Sequence, residues 1–294
     1  MANENGVRIA YLLLAHKSPE QLNLFIRQLL DYGDCDVYVH VDVTHKEICE
    51  QLIRDDRVIV CSEFETRWAS FDICKAALKL MTLANESGKY YSHFYFGSGQ
   101  DLLVKKGLYE YLAEHEDKIF LRIIREVTEK DKASARYKVR WSRKLMVSKN
   151  FHVYRLVRKC LQMFCRMGIV IHRNKKTLNR KVKFYTGGTW FVAPMDVLRY
   201  ILKYMEENPD YEDFWEDSLA SDLMFFQTVI MNSQYAENIE PELMYIHWGD
   251  NHPLNVTADD NETIESGNYY CARKFDLSDR ASMEFYLNKT SKDR

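Results

Sequence analysis

Apolar residues run almost unbroken through the first element of the chain: VRIAYLLLA over 7–15 has the pattern of a strand buried on both faces. The run stops at His16, and Ser18-Pro19-Glu20 then supplies an N-cap residue type and a proline at the first helical position. Leu22, Phe25, Ile26, Leu29 and Leu30 follow at the spacing of one helical face. The alternation continues, with strands predicted over 36–42 (DVYVHVD), 57–60, 91–97 (YSHFYFG) and 118–123, and helices over 46–53, 70–83 and 106–115. Strand, helix, strand at this spacing, without tight hairpin signals, argues a parallel α/β sheet of Rossmann-like winding. In such sheets ligands bind beyond the carboxyl ends of the strands. His16, Lys17, Asp42 and the 97–101 turn (GSGQD) fall at those ends and are the first candidates for a site.

After Val127 the pattern changes. Segment 132–183 holds 17 Lys and Arg out of 41 and none of the 43 Asp and Glu, so a net charge of −2 conceals a basic region in an otherwise acidic chain. That asymmetry calls for an anionic partner, either a membrane surface, a phosphate-bearing substrate or a polyanion; the plain alternative is a solvated basic face. Within it, 151–172 is predicted as an amphipathic helix, with Arg155, Arg158, Lys159, Gln162 and Arg166 on one face and Leu156, Cys160, Phe164, Met167 and Ile171 on the other. A strand with a glycine pair over 184–193 and helices over 195–206 and 222–231 complete the pattern, and the polar residues after Met283 are expected to fray. The expected organisation is one large domain: a nucleotide-binding half over 7–127, a basic helical insertion over 132–183, an acceptor and catalytic half over 184–280, and a polar tail over 284–294.

Composition narrows the function. At 294 residues, 46% hydrophobic and 29% charged, the chain is globular, and 11 Gly with 5 Pro exclude a collagen-like sequence. No stretch approaches the ~18 apolar residues of a membrane span, and the first apolar run is too short for a signal anchor. Seven cysteines without CxxC spacing read as reduced thiols of a cytosolic protein. GxGxxG, GxxxxGK[ST], HExxH and GxSxG are all absent from the sequence. Asp34-Cys35-Asp36 is a literal Asp-x-Asp, but it precedes the second strand and reads as turn chemistry; His40-Val41-Asp42 offers a single carboxylate, so no metal is expected. A departing diphosphate would then need cations from the protein. Ala272-Arg273-Lys274-Phe275-Asp276 places two beside an aromatic, with a surface basic pair as the alternative. Glu216, Asp217 and Asp222 precede an apolar helix, either as helix-terminal charge matching or as a source for a general base.

Seven segments in order carry a resemblance: LLLAHKSPEQL, YVHVDVTHK, RWASFDICKAAL, HFYFGSGQDLLVKKGLYEYL, FYTGGTWFVAPMDVLRYIL, SDLMFFQTVIMNS and ARKFD. Together they resemble the core-2/I-branching β-1,6-N-acetylglucosaminyltransferases, a family that includes the peptide O-xylosyltransferases, over roughly 8–276. The resemblance implies a glycosyltransferase domain of the GT-A type, a UDP-sugar donor, inversion at the anomeric carbon and no metal cofactor; the chain's brevity suggests a bacterial, cytosolic member. It places Ala15, His16 and Lys17 where the first loop meets the nucleotide, Asp42 against the donor's nucleoside, Trp68 near the uracil, and Lys274 on the diphosphate. Two positions depart from the family pattern. The catalytic Glu of its DE-x-FF motif aligns with Leu223, beside Asp222, and an Arg that assists Lys274 corresponds to Met244.

The leading expectation is an inverting transferase moving GlcNAc, or alternatively xylose, from UDP to a hydroxyl of a glycan or lipid-linked glycan. Asp222, or failing it Glu216 or Asp217, would take the acceptor's proton, with Lys274 and Arg273 on the diphosphate. Gly187 and Gly188 would admit the acceptor close to the backbone, and Trp190 and Trp248 would stack on sugar faces unless they belong to the core. The alternative is a catalytically weak or inert UDP-sugar-binding subunit, because leucine cannot accept a proton. The basic amphipathic helix predicts peripheral contact with anionic membrane, and the absence of any nucleic-acid motif argues against a nucleic-acid partner.

Overall fold

The computed structural model describes residues 6–146, 153–249 and 252–291. Strand β1 (Ile9–Ala15) is buried along its whole length. Its side chains alternate between two cores, which explains the unbroken apolar run: Ala10, Leu12 and Leu14 enter one, and Ile9, Tyr11, Leu13 and Ala15 the other. It pairs in parallel with β2 (Cys35–Val41) on one side and β4 (His93–Ser98) on the other, and β3 (Val58–Cys61) extends the sheet beyond β2. Past β4 lies β7 (Tyr185–Pro194), antiparallel to β4 and to β6 (Ile119–Glu126), with β8 (Ile239–Glu240) at the edge. The order is therefore β3-β2-β1-β4-β7-β6-β8. A second sheet, β5-β10-β9, is built from β5 (Asp101–Leu103), β10 (Cys271–Arg273) and β9 (Met244–Ile246).

Helices cover both faces of the large sheet. In chain order they are α1 (Pro19–Tyr32), α2 (Asp72–Glu86), α3 (Leu108–Glu114), α4 (Ala135–Lys138), α5 (Val153–Arg166), α6 (Met195–Glu207), α7 (Pro209–Trp215), α8 (Phe225–Met231), α9 (Asn261–Ser266) and α10 (Arg280–Thr290). α2, α6 and α8 pack on one face through Leu80, Ile201 and Phe226. α1 and α10 pack on the other through Phe25 and Tyr286. From β1 the chain winds outward through α1 to β2 and then β3, and α2 returns it to β4 on the opposite side of β1. The order reverses between β1 and β4, and the crevice beyond their carboxyl ends is where such a sheet receives a ligand. In the basic segment a small third cluster around Trp141, Val139 and Cys165 anchors α4 and α5, and the Trp141 indole donates to the Ala135 carbonyl at 2.9 Å.

Four sequence expectations are corrected. The helix expected over 46–53 is a kinked 3₁₀ segment, Val43–Gln51, started by the Asp42 side chain, which accepts from the Thr44 N–H. The helix expected over 151–172 stops at Arg166, with a turn at Gly168; positions 151 and 152 lie outside the described residues. The element expected over 222–231 is split at Met224 into a 3₁₀ turn, Ser221–Leu223, and α8. Finally, 284–290 is no polar tail. It belongs to α10, whose Met283 and Tyr286 are buried, with the Tyr286 hydroxyl donating to the Thr257 carbonyl at 3.0 Å. All seven cysteines are free.

The packing of α10 predicts that Tyr286→Ala lowers unfolding free energy by about 3 kcal/mol in urea titration, as for a fully buried aromatic. A loss below about 1 kcal/mol would mean that α10 contributes little to the core.

Candidate active site

The crevice at the β1/β4 switch point is a cleft of about 1100 Å³. Ala15, His16 and Lys17 line it where β1 ends, and Ser98, Gly99 and Gln100 where β4 ends. Trp68, Asp222, Arg273 and Lys274 line the same cleft, so these residues bring five separate stretches of sequence together there. Asp42 does not line it. Its carboxylate accepts from the N–H and hydroxyl of Thr44 through one oxygen and from those of Thr66 through the other, at 2.5–2.8 Å. Desolvation, which would raise the Asp42 pKa, is outweighed by these bonds to Thr44 and Thr66, and the net shift is downward. Thr66 reaches the cleft in its place, and Trp68, 52% exposed, follows two residues on. Arg158 from α5 lies over the Trp68 ring, 5.0 Å from its centroid.

Arg273 and Lys274 have different roles in the wall. Arg273 is buried, with Nε 3.3 Å from the carboxylate of fully buried Asp101, Nη2 donating to Ser98 Oγ at 3.1 Å, and the guanidinium 4.3 Å from the Trp190 ring centroid. Asp101 also accepts from the Ser98 N–H and hydroxyl and from the Tyr95 hydroxyl. Burial pushes Asp101 up and Arg273 down, each opposed by the other's charge. Lys274 has no ion-pair partner among the described residues. Its pKa is lowered first by desolvation, then by the charges of Arg273 and Lys17. His16 is lowered for similar reasons, by desolvation and by Lys17, while Lys17 itself pairs with Asp276 at 3.2 Å.

Asp222 stands on the 3₁₀ turn ahead of α8, and its Oδ2 accepts from Thr189 Oγ1 at 2.8 Å. Burial raises its pKa, and the Thr189 bond and the charge of Arg136 only partly offset this. A carboxylate made more basic in this way is suited to accept a proton near neutral pH. Glu216 and Asp217 do not reach the cleft: Glu216 pairs with Lys75 at 2.6 Å and Asp217 with Arg140 at 3.0 Å. Leu223 and Met244, the two departures, both line it. The Asp34–Asp36 pair lies at the opposite end of the sheet, where Asp36 is not a turn residue but a strand residue bound by Arg8, Lys89 and Tyr91.

The glycine pair has a packing role that the sequence reading did not anticipate. A side chain at Gly187 would strike the backbone carbonyl of Arg122, so β6 and β7 could not approach as they do. Trp190 is partly packed against Phe96, whereas Trp248 is more than half exposed on the cleft rim. Sequence reasoning missed Arg122, Arg136 and Glu242, all of which line the cleft. Arg136 was hidden inside the basic run, and nothing in the pattern of β6 separates Arg122 from an ordinary strand residue.

A mostly parallel sheet with a cleft at its switch point, lined by cations and a basic carboxylate, defines a Rossmann-like α/β protein of the GT-A kind. The chain belongs to the Core-2/I-Branching enzyme family, which matches residues 9–266. It is a glycosyltransferase, in a family of typically acetylglucosaminyl-transferring enzymes that implies a UDP-sugar donor and a glycan acceptor. No curated protein matches the chain.

Because Asp101 and Arg273 are both buried, Asp101→Ala is expected to destabilise the protein by about 3–5 kcal/mol in urea titration, leaving a guanidinium without its counter-charge. A cost below about 1 kcal/mol would show that Arg273 does not depend on this pairing.

Proposed function

We propose that the protein transfers GlcNAc, with xylose as the alternative sugar, from UDP to a glycan hydroxyl with inversion, using protein cations where a metal would otherwise neutralise the diphosphate. The acceptor oxygen attacks the anomeric carbon from the face opposite UDP, and its proton passes to the Asp222 carboxylate. As the new C–O bond forms, the bond to the diphosphate breaks and its electron pair goes to the departing phosphate oxygen. Lys274 meets that growing charge, with Arg273 holding the strand that carries it. The observation that supports this most directly is that Asp222 and Lys274 line one cleft at the switch point. Trp68 offers an exposed ring for the base, and Asp42 acts through the Thr66 loop rather than by touching the nucleoside.

Asp222→Asn is expected to lower kcat by about 10²–10⁴-fold with little change in UDP affinity. The wild-type rate is expected to fall as pH drops through an Asp222 pKa lying above the ordinary aspartate value, and the variant to lack this acid limb. Lys274→Met should weaken UDP binding by calorimetry. Unchanged kcat in Asp222→Asn would remove Asp222 from the reaction. A second reading, UDP-sugar binding without turnover, is favoured by Leu223 standing where the family has its base; UDP binding with no transfer by wild type would establish it.

The partner predicted for the basic segment is an anionic membrane carrying a lipid-linked acceptor. No described helix is long and apolar enough to cross a bilayer. α5 instead turns an apolar stripe to solvent: Val153, Leu156, Val157 and Met163 are exposed, Leu156 by 63%, and Met167, Ile169 and Ile171 just beyond its end are exposed as well. Exposed Lys159 and Arg166 flank that stripe, as a helix lying in a bilayer interface requires. The helix adjoins the cleft through the Arg158–Trp68 contact. In vesicle sedimentation the protein should bind phosphatidylglycerol-containing bilayers more tightly than phosphatidylcholine alone, with loss in high salt, and Leu156→Glu should weaken binding about tenfold. Equal binding to both bilayers, or no effect of Leu156→Glu, would overturn the assignment.

A further inference from the structure

We infer that the acceptor is an acidic glycan whose carboxylate or phosphate is received by Arg136 beside the point of transfer. The inference rests on the proposed function, because Asp222 as the base is what marks the acceptor side of the cleft. Arg136 projects from α4 into the cleft wall, where Nη1 donates to Thr186 Oγ1 at 3.1 Å. Among the described residues no carboxylate forms an ion pair with it. Asp222 is close enough to feel its charge, yet its own hydrogen bond goes to Thr189. Arg136 is partly buried in the cleft wall with Asp222 as a nearby counter-charge, and the N–H groups not bonded to Thr186 can be satisfied by a ligand.

A second guanidinium stands nearby. Arg122, on β6, flanks the glycine pair of β7: a side chain added at Gly188 would come within 3.3 Å of the Arg122 Cβ. Its Nε is 3.7 Å from Glu242, beyond hydrogen-bonding distance, and its side chain is partly exposed. Thr186 and Thr189, which contact Arg136 and Asp222 respectively, lie on the same strand with the two glycines between them. One short stretch of β7 thus joins the proposed base to two arginines. Guanidinium groups bind carboxylate and phosphate through paired N–H donors, whereas a neutral sugar needs no such charge. The donor's diphosphate already has Lys274, so the charge next to Asp222 remains for the acceptor.

The test compares methyl glucuronoside, glucose 6-phosphate and methyl glucoside by ligand-observed NMR, on UDP-saturated and on free protein. At least one acidic ligand is expected to bind tenfold or more tighter than the neutral one, and the preferred acid identifies the group as carboxylate or phosphate. Arg136→Gln should reduce that ligand to the neutral level while calorimetric UDP affinity stays as in wild type, and Arg136→Lys should recover part of the preference. Arg122→Ala, at a partly exposed position, should lower it about threefold and provides the test if Arg136→Gln does not fold. Equal binding of all three ligands overturns the inference, as does an Arg136→Gln variant that weakens UDP by the same factor, which would assign the guanidinium to the donor. Absence of UDP binding by wild type would instead refute the proposed function, and the acidic preference measured on free protein would still decide whether the anion site exists.

Discussion

Asp101 and Arg273 lie far apart in the chain, and neither charge could be held in its position alone. Burying an isolated carboxylate or guanidinium costs far more than a fold of this size can spare, and each charge here is offset by the other and by the groups around them. Tyr95, the Ser98 N–H and the Ser98 hydroxyl occupy Asp101, and Ser98 and the Trp190 ring receive the guanidinium. The consequence is geometric. β5 follows β4 through a two-residue turn, so the pair bolts β10 of the small sheet to the end of the central strand of the large one. Lys274, the next residue, is thereby fixed over the crevice between β1 and β4. A lysine on a mobile loop would lose its effect to water and conformational entropy; placed on this support, it offers a preorganised charge.

The opposite wall uses different means. Asp222 is held by one hydroxyl and sits on a single 3₁₀ turn, which the left-handed backbone of Ala220 (φ 52°) directs into the cleft. Gln227 secures this turn from within α8 by donating to the carbonyls of Asp222 and Gly188. The turn presents both Asp222 and Leu223 to the cleft, so the proposed base, one residue from the position of the family's Glu, needs no displaced backbone. Burial raises the Asp222 pKa, and the Thr189 bond and the Arg136 charge only partly offset it.

How much of this was legible in the sequence follows from the range of the interactions involved. β1 was readable because burial on two faces writes an unbroken apolar run, and α1 and α2 because their apolar residues keep to one helical face. The residues that strand ends place in the cleft, His16 and Lys17, followed from that topology alone. The small sheet was not legible: β5, β9 and β10 have three residues each, too few for any periodicity. α10 reads as a tail in the sequence because only Met283, Tyr286 and a few small residues face inward, and its polar residues dominate the composition. The interruption of 222–231 was invisible since Phe225, Phe226, Val229 and Ile230 keep a helical spacing, and only tertiary bonds from Gln227 and Thr228 to β7 fix where the helix starts. Asp42 shows the converse error. Its position at a strand end was read correctly, but its four hydrogen bonds to Thr44 and Thr66 come from residues that sequence spacing does not single out.

Arg158 and Trp68 link the two halves of the proposed chemistry. α5 buries Arg158 at the edge of the cleft, against an aromatic that lines it, and while Leu161 and Cys165 anchor it to the protein, Val153, Leu156, Val157 and Met163 are turned outward. The outward apolar side chains gain nothing in water, since burying a leucine is worth about 1.5–3 kcal/mol that leaving it exposed forgoes. Their exposure makes sense if the solvent side of α5 is not water in the working state. An interface helix beside the Trp68 rim would hold the mouth of the cleft near lipid headgroups, where a lipid-linked glycan presents its hydroxyls. The same surroundings would favour an acidic acceptor, because the concentration of basic residues in 132–183 both draws the protein to anionic lipid and supplies Arg136 to the cleft.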